Sequence, residues 1–126
     1  MTTPLTQSPS TPRTLEFGLD TFGDIPEDDH GNLLSHASAI RQVVEEALLA
    51  DQLGVDVIAP GEHHRPEFAI STPETVLAGI ATRTERIKLA SGVTVLSSDD
   101  PVRVFQRFAT VSTEPMKRAP SVISCS

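Results

Sequence analysis

Val55-Asp56-Val57-Ile58-Ala59-Pro60-Gly61-Glu62-His63-His64-Arg65-Pro66-Glu67-Phe68 decides how this chain is read. A short, largely β-branched run, Val55 to Ala59, is followed almost at once by two histidines, two carboxylates and an arginine. In α/β proteins ligands and catalytic groups collect at the carboxyl ends of the strands. The cluster therefore lies where a site is expected, provided that Val55 to Ala59 is a strand of a parallel sheet.

The flanking segments supply that sheet. Toward the N-terminus, Ile40, Val43, Val44, Ala47 and Leu48 fall on one helical stripe, with Arg41, Gln42, Glu45 and Glu46 opposite. Ser35 is the expected N-cap of this helix, and Gly54 its left-handed stop after Leu53. Before it, Leu15 to Asp20 alternates apolar with small or polar residues and reads as a first strand. Thr21 to Leu34, with Pro26, two glycines and Glu27-Asp28-Asp29, reads as a surface loop. Asp56, central in the second run, suits either an edge position or a side chain aimed along the strand end.

Toward the C-terminus, Thr72-Pro73 opens a second helix with a threonine cap and proline at its first position. Val76, Leu77, Ile80 and Ala81 form its stripe, and it ends near Thr84. Ile87 to Leu96 is the expected third strand, with Gly92 at its middle marking a bulge or a close approach. Asp99-Asp100 is turn and N-cap chemistry before Pro101, where a third helix begins with Val102, Phe105, Phe108 and Ala109 inward. Strands starting near residues 15, 55 and 87 alternate with helices, the sequence mark of an α/β fold with a parallel sheet.

Composition narrows the function classes. The 126 residues are 38% apolar and 21% charged, normal for one soluble domain. A net charge of −7, with ten scattered Lys and Arg, argues against a nucleic-acid partner, which needs a basic stripe. The single cysteine, Cys125, can form no intrachain disulfide and no cysteine zinc site, and suits a reducing cytoplasm. No apolar run approaches the roughly 18 residues of a membrane span, and Met1 to Arg13 is not shaped as a secretory signal.

Taken alone, His63 and His64 suit an ordinary surface-loop pair. A metal site with Glu62 or Glu67 is disfavoured, because adjacent histidines diverge and no H-x-x-x-H or H-x-x-E-H pattern is present, so no metal is expected. Arg65 suits either an anion contact or an ion pair with Glu67. The chain contains no Gly-x-Gly-x-x-Gly and no phosphate loop.

Four segments in order, Leu15 to Asp20, Gly61 to Phe68, Thr84-Glu85-Arg86-Ile87-Lys88-Leu89 and Val93-Thr94-Val95-Leu96-Ser97-Ser98-Asp99-Asp100-Pro101-Val102-Arg103, resemble the bacterial luciferase-like flavin-dependent monooxygenases. The resemblance runs from about Leu15 to Val111. It implies a (β/α)₈ barrel that binds reduced flavin mononucleotide, or in some branches a deazaflavin, at the carboxyl-end face, and uses it with dioxygen to oxygenate a small-molecule substrate. The family's Glu-His-His segment matches Glu62-His63-His64, so the active-site acid or base would be His63, with Glu62 beside the cofactor. The family's non-prolyl cis peptide behind the flavin ring would fall at Gly92-Val93. An imidazole titrates near neutrality and can handle protons there, and a neighbouring carboxylate can fix its tautomer.

A full barrel takes about 250 residues, so three βα units correspond to the N-terminal part of one, a truncated barrel. The expected division is a disordered tail over 1–14, a partial barrel domain over 15–111 and an irregular tail over 112–126, where Ser121 to Cys125 is the one candidate strand. The loss of pattern after Val111 suits a frameshift, a premature stop or a rearranged gene. The expected function is thus flavin-dependent oxidation, with a homo-oligomer or a complementing chain supplying the remaining walls. The alternatives are a non-catalytic remnant, an oligomerising α/β module without flavin, and a small module that binds another ligand at the sheet's carboxyl edge. Three strands alone leave an open inner sheet face and a bare hydrophobic edge at the third strand.

Overall fold

The computed structural model describes residues 15–113. The tail expected over 1–14, the part of the 112–126 tail from residue 114 onward, the candidate strand at Ser121 to Cys125, and Cys125 itself lie outside the described residues, while 112 and 113 belong to the last helix.

The elements run β1 (Gly18–Thr21), α1 (His36–Leu53), β2 (Val57–Pro60), α2 (Pro73–Ala81), β3 (Lys88–Leu89) and α3 (Pro101–Thr113), with a short 3₁₀ turn at Leu96–Ser98. The strands form a parallel sheet in the order β1-β2-β3, an α/β arrangement as expected from the alternation. Gly18 lies beside Val57 and Val57 beside Lys88, while Leu19, Ile58 and Leu89 form the next row. Side chains alternate across a strand, so the row Leu19, Ile58, Leu89 faces one side of the sheet. The helices cover that side: Ile58 and Leu89 are buried with Val43, Ala47, Ala50, Val76, Leu77, Ile80 and Ile87. Full burial of an Ile or Leu side chain contributes about 1.5–3 kcal/mol, so this cluster is the main source of stability.

α1 starts and stops as the sequence predicts. Ser35 Oγ accepts from the Ser38 N–H at 3.2 Å, and Gly54 sits in the left-handed region at φ 83°. Thr72 precedes α2 as expected, but its side chain makes no capping bond; the start is held by Pro73 and by the Thr75 N–H donating to Thr72 O. Asp100 does cap α3, its Oδ1 accepting from the Val102 and Arg103 N–H groups at 2.9 and 3.0 Å.

Three expectations require correction. The third strand is regular only at Lys88–Leu89: Ala90 and Gly92 still donate to Ile58 O and Pro60 O, but at Val93 the chain accepts from the Glu62 N–H in the loop beyond β2. The phase of α3 is also different: Val104 is 4% exposed, and Phe108 and Val111 pack on the core. Val102 and Phe105 are 62% and 69% exposed and point away. The loop from Thr21 to Leu34 is more ordered than its composition suggests. It pairs antiparallel with the segment after His64 through Ile25 N–H to Glu67 O, Ala69 N–H to Gly23 O and Ile70 N–H to Phe22 O.

Sequence reading also missed Asp51. It is buried on the last turn of α1, and its carboxylate accepts the Glu85, Arg86 and Ile87 N–H groups at 2.9, 2.7 and 2.6 Å. Arg86 in turn donates to the Asp51 carbonyl at 2.7 Å. This double clasp fixes where β3 enters the sheet. The ambiguous Asp56 has a similar local task, accepting from the Phe17 N–H at 2.8 Å and fixing the approach to β1.

Candidate functional site

All of the residues singled out from the sequence lie at the carboxyl end of the sheet. β2 ends at Pro60, and Gly61 continues the ladder by donating to Thr21 O at 2.9 Å. On the other side Gly92 donates to Pro60 O at 3.2 Å, and Glu62 donates to Val93 O at 2.9 Å. The His-containing loop and the cis Gly92–Val93 segment are thus laced together along their backbones.

Glycine at position 61 makes this close approach possible. A Cβ there would lie 2.4 Å from the Gly92 carbonyl oxygen and 2.7 Å from Cε1 of Phe22. At Gly92 an added Cβ would point back to β2, at 3.2 Å from the Ala59 side chain. Below the cis bond, the Ser91 and Thr94 hydroxyls meet at 2.7 Å, both buried, and close that turn.

His63 is half-buried, and its N–H donates to Ile70 O at 2.9 Å. Its imidazole stacks on Phe68, with ring centroids 4.5 Å apart and planes at 13°, and Phe22 meets it edge-on at 5.2 Å. Phe22 also touches Phe68 edge-on at 5.7 Å. One ring comes from the loop after β1 and the other from the loop after β2, so this aromatic group needs both loops. Neither phenylalanine was singled out as a site residue; their separation in sequence hid a contact that only the antiparallel loop pairing creates.

Glu62 and His64 lie differently. The Glu62 side chain is 8% exposed, while His64 is 58% exposed at its outer side. Glu62 Oε1 is 2.7 Å from His64 Nε2, and Oε2 accepts from the Val95 N–H at 3.1 Å. The two histidine rings therefore diverge, one onto Phe68 and the other onto Glu62. Among the described residues no three His, Cys, Asp or Glu side chains are grouped to hold a metal ion.

Charge around the site is mostly paired. Arg65 lies 3.2 Å from Glu67 on the surface, and the Glu67 carboxyl is held below its ordinary range by a backbone hydrogen bond within its own residue and by Arg65. On the α3 side Arg107 Nε is 2.6 Å from the buried Glu74 carboxylate, at an angle outside hydrogen-bonding range, and Arg107 Nη2 pairs with Asp99. The Asp99 hydrogen bond, with Glu74 nearby, holds the Arg107 guanidinium above its ordinary range, and Arg107 in return lowers Asp99.

His63, the Gly92–Val93 segment and the rings of Phe22 and Phe68 are thus gathered at the carboxyl end of a parallel run of βα units. The chain belongs to the luciferase-like monooxygenase family, whose profile matches residues 16–113. It is 33% identical over 96 residues to the uncharacterized protein y4wF of Sinorhizobium fredii, covering 75% of this chain and 26% of that protein. It is 40% identical over 65 residues to the 4-hydroxyprotoasukamycin monooxygenase of Streptomyces nodosus subsp. asukaensis, covering 51% of this chain and 18% of the enzyme.

Among solved structures it is similar to apo-MsnO8, with a TM-score of 0.69 and 29% identity over 78% of this chain and 29% of that one. It is also similar to the oxygenating constituent of 3,6-diketocamphane monooxygenase from Pseudomonas putida, a Type II Baeyer-Villiger monooxygenase solved with FMN. That match has a TM-score of 0.66 and 25% identity over 79% of this chain and 26% of the other. The chain thus spans less than a third of the length of each of these relatives.

Proposed function

We propose that this chain forms the first wall of a flavin-dependent monooxygenase site, with the three βα units standing as the N-terminal part of a (β/α)₈ barrel. Reduced flavin mononucleotide is the cofactor and a small organic molecule the substrate, in the cytoplasm. The observation that carries this reading is the backbone lacing of Gly92 and Val93 to the His63 loop at the carboxyl end of the sheet in a chain of this family.

The residues present suit the ring portion of a flavin. Gly92 carries no side chain, Val93 is apolar, and Phe22, Phe68 and the His63 ring offer flat surfaces. The phosphate is less well served, since Arg65 and Arg107 are already paired with carboxylates. The proposal therefore gives Gly92 and Val93 the backing of the ring, and leaves the phosphate to groups beyond the described residues or to another chain. β1 and β3 each have an open edge in the described sheet, where further strands of the same or another chain can pair.

When bound, reduced flavin supplies the electrons that activate dioxygen. His63 supplies a proton-handling nitrogen, and its packing between Phe68 and Phe22 limits how the ring can turn. Stacking of this kind contributes about 0.5–1.5 kcal/mol per aromatic pair, enough to favour one ring orientation.

The test is anaerobic titration of the purified full chain with reduced FMN, followed by fluorescence and size-exclusion chromatography. Micromolar binding by a discrete monomer or oligomer is the expected result. A parallel titration with a reduced deazaflavin separates the two cofactor branches. No binding of either at millimolar concentration would reject the reading and leave a non-catalytic or oligomerising α/β module.

A further inference from the structure

We propose that Glu62 is a positioning residue that locks the cis Gly92–Val95 segment to the His63 loop, and that it does not itself contact the cofactor. The geometry of its two oxygens points this way. Oε2 accepts from the Val95 N–H at 3.1 Å and Oε1 lies 2.7 Å from His64 Nε2. Its own N–H donates to Val93 O at 2.9 Å. One residue thus holds the chain on both sides of Thr94, through its backbone at Val93 and through its side chain at Val95.

The ladder makes this clasp necessary. Regular pairing of β3 ends at Leu89, although Ala90 and Gly92 still donate to Ile58 O and Pro60 O at 3.0 and 3.2 Å. Among the described residues no strand pairs with Thr94 and Val95 to set their path. The Ser91–Thr94 hydroxyl pair closes the turn on itself but does not tie it to β2. Glu62 provides that tie. A carboxylate is suited to the task because it has lone pairs for two donors at once, and a side chain that is 8% exposed competes little with water for them.

His64 is the outer part of the same device. Exposed to 58%, it covers Oε1 from the solvent side, so that the carboxylate is satisfied without turning toward the flavin wall. The consequence for the site is spacing: the peptide proposed to back the flavin ring and the adjacent His63 are held at a fixed separation by a residue between them. Residue 62 is therefore expected to affect cofactor affinity without touching the cofactor.

This inference rests on the flavin reading for its functional consequence, and its structural core can be tested apart from it. The full chain is compared with Glu62→Gln, Glu62→Met and Val95→Pro. Glutamine keeps an oxygen acceptor for Val95, and methionine keeps the length with only a weakly accepting sulfur. Proline deletes the Val95 N–H at a residue whose φ of −81° is close to what proline accepts. Amide hydrogen exchange is read at Val95 and, as a folding control, along α1.

In Glu62→Met the Val95 amide is expected to exchange at least tenfold faster with α1 unchanged, and Glu62→Gln is expected to restore most of the protection. Reduced FMN should bind at least tenfold more weakly to Glu62→Met and Val95→Pro, and within about threefold of the parent to Glu62→Gln. Unchanged Val95 exchange in a folded Glu62→Met would overturn the clasp. Unchanged FMN affinity in a folded Val95→Pro would overturn its role in the site, and that variant decides should Glu62→Met not fold. If the parent chain binds no flavin, the functional reading fails by itself, and Val95 exchange still decides the clasp.

Discussion

Gly61→Ala tests the lacing of the site most directly. The new Cβ would lie 2.4 Å from the Gly92 carbonyl oxygen, 2.8 Å from its carbon and 2.7 Å from Phe22 Cε1. Ordinary contact at such atoms is near 3.4 Å or more, so roughly 1 Å of movement is required. The Phe22 ring can turn, but the Gly92 carbonyl belongs to the backbone. Moving it away from β2 stretches the Gly92 N–H to Pro60 O and Glu62 N–H to Val93 O bonds. Each of the two bonds contributes about 1 kcal/mol net, and overpacking costs about 1–3 kcal/mol, giving an expected loss of about 3–5 kcal/mol. Gly79→Ala is the control: no atom lies within 4 Å of its added Cβ, and it sits inside α2. It should stabilise by about 0.5–1 kcal/mol through helix propensity. Urea unfolding followed by circular dichroism reads both. A Gly61→Ala change below about 0.5 kcal/mol, with Gly79→Ala behaving as expected, would show that the two loops are not packed as described.

Asp51→Asn should cost about 2–4 kcal/mol in the same assay, because one of two charged acceptors is replaced by a donor facing the Glu85, Arg86 and Ile87 amides; a neutral result would refute the clasp at the entry to β3. The phase of α3 is checked by Val104→Ala, expected to cost about 1–3 kcal/mol, against Phe105→Ala, expected to stay within about 0.5 kcal/mol; the reverse order would mean the helix is turned as the sequence pattern suggested. Stability should fall with acidification below the ordinary carboxylate range, since Asp99 is depressed by the Arg107 hydrogen bond, and Asp28 by Asn32. The unfolded chain then binds more protons than the folded one, so the contribution is present above the unfolded value and is lost as pH falls through the folded value. Asp99→Asn should flatten that acid limb in pH-dependent urea titrations, and an unchanged limb would refute the assignment.

Much of this architecture was legible because local chemistry and tertiary structure agree. The Ser35 cap, the Gly54 stop and the Asp100 cap need no distant partner, and each is in place. Where reading failed, the deciding partner was remote. The period of α3 allows more than one inward face, and packing against α2 and the core selected Val104, Phe108 and Val111. Asp51 carries no local sign of its role, which comes from three amides more than thirty residues away that converge on its carboxylate. Phe22 and Phe68 acquired meaning only through antiparallel pairing between two loops. At the site, it was the family resemblance that pointed to His63, Glu62, Gly92 and Val93, and nothing in the sequence pointed to the hydrogen bond from the Val95 N–H to the Glu62 carboxylate.

The distribution of exposed apolar groups bears on how such a unit meets neighbours. The row opposite the helices, Gly18, Val57, Lys88 and then Asp20 and Ala59, is small or polar, and a Glu16–Lys88 ion pair spans it. The open inner face is thus lined by small and polar groups and Val57, without large apolar side chains. Apolar exposure lies instead at the flanks, with Leu15, Phe17 and Leu19 along β1 and Leu96, Val102 and Phe105 on the far side. A sheet extended sideways by further βα units would cover these flanks while leaving the small inner face free of bulky groups.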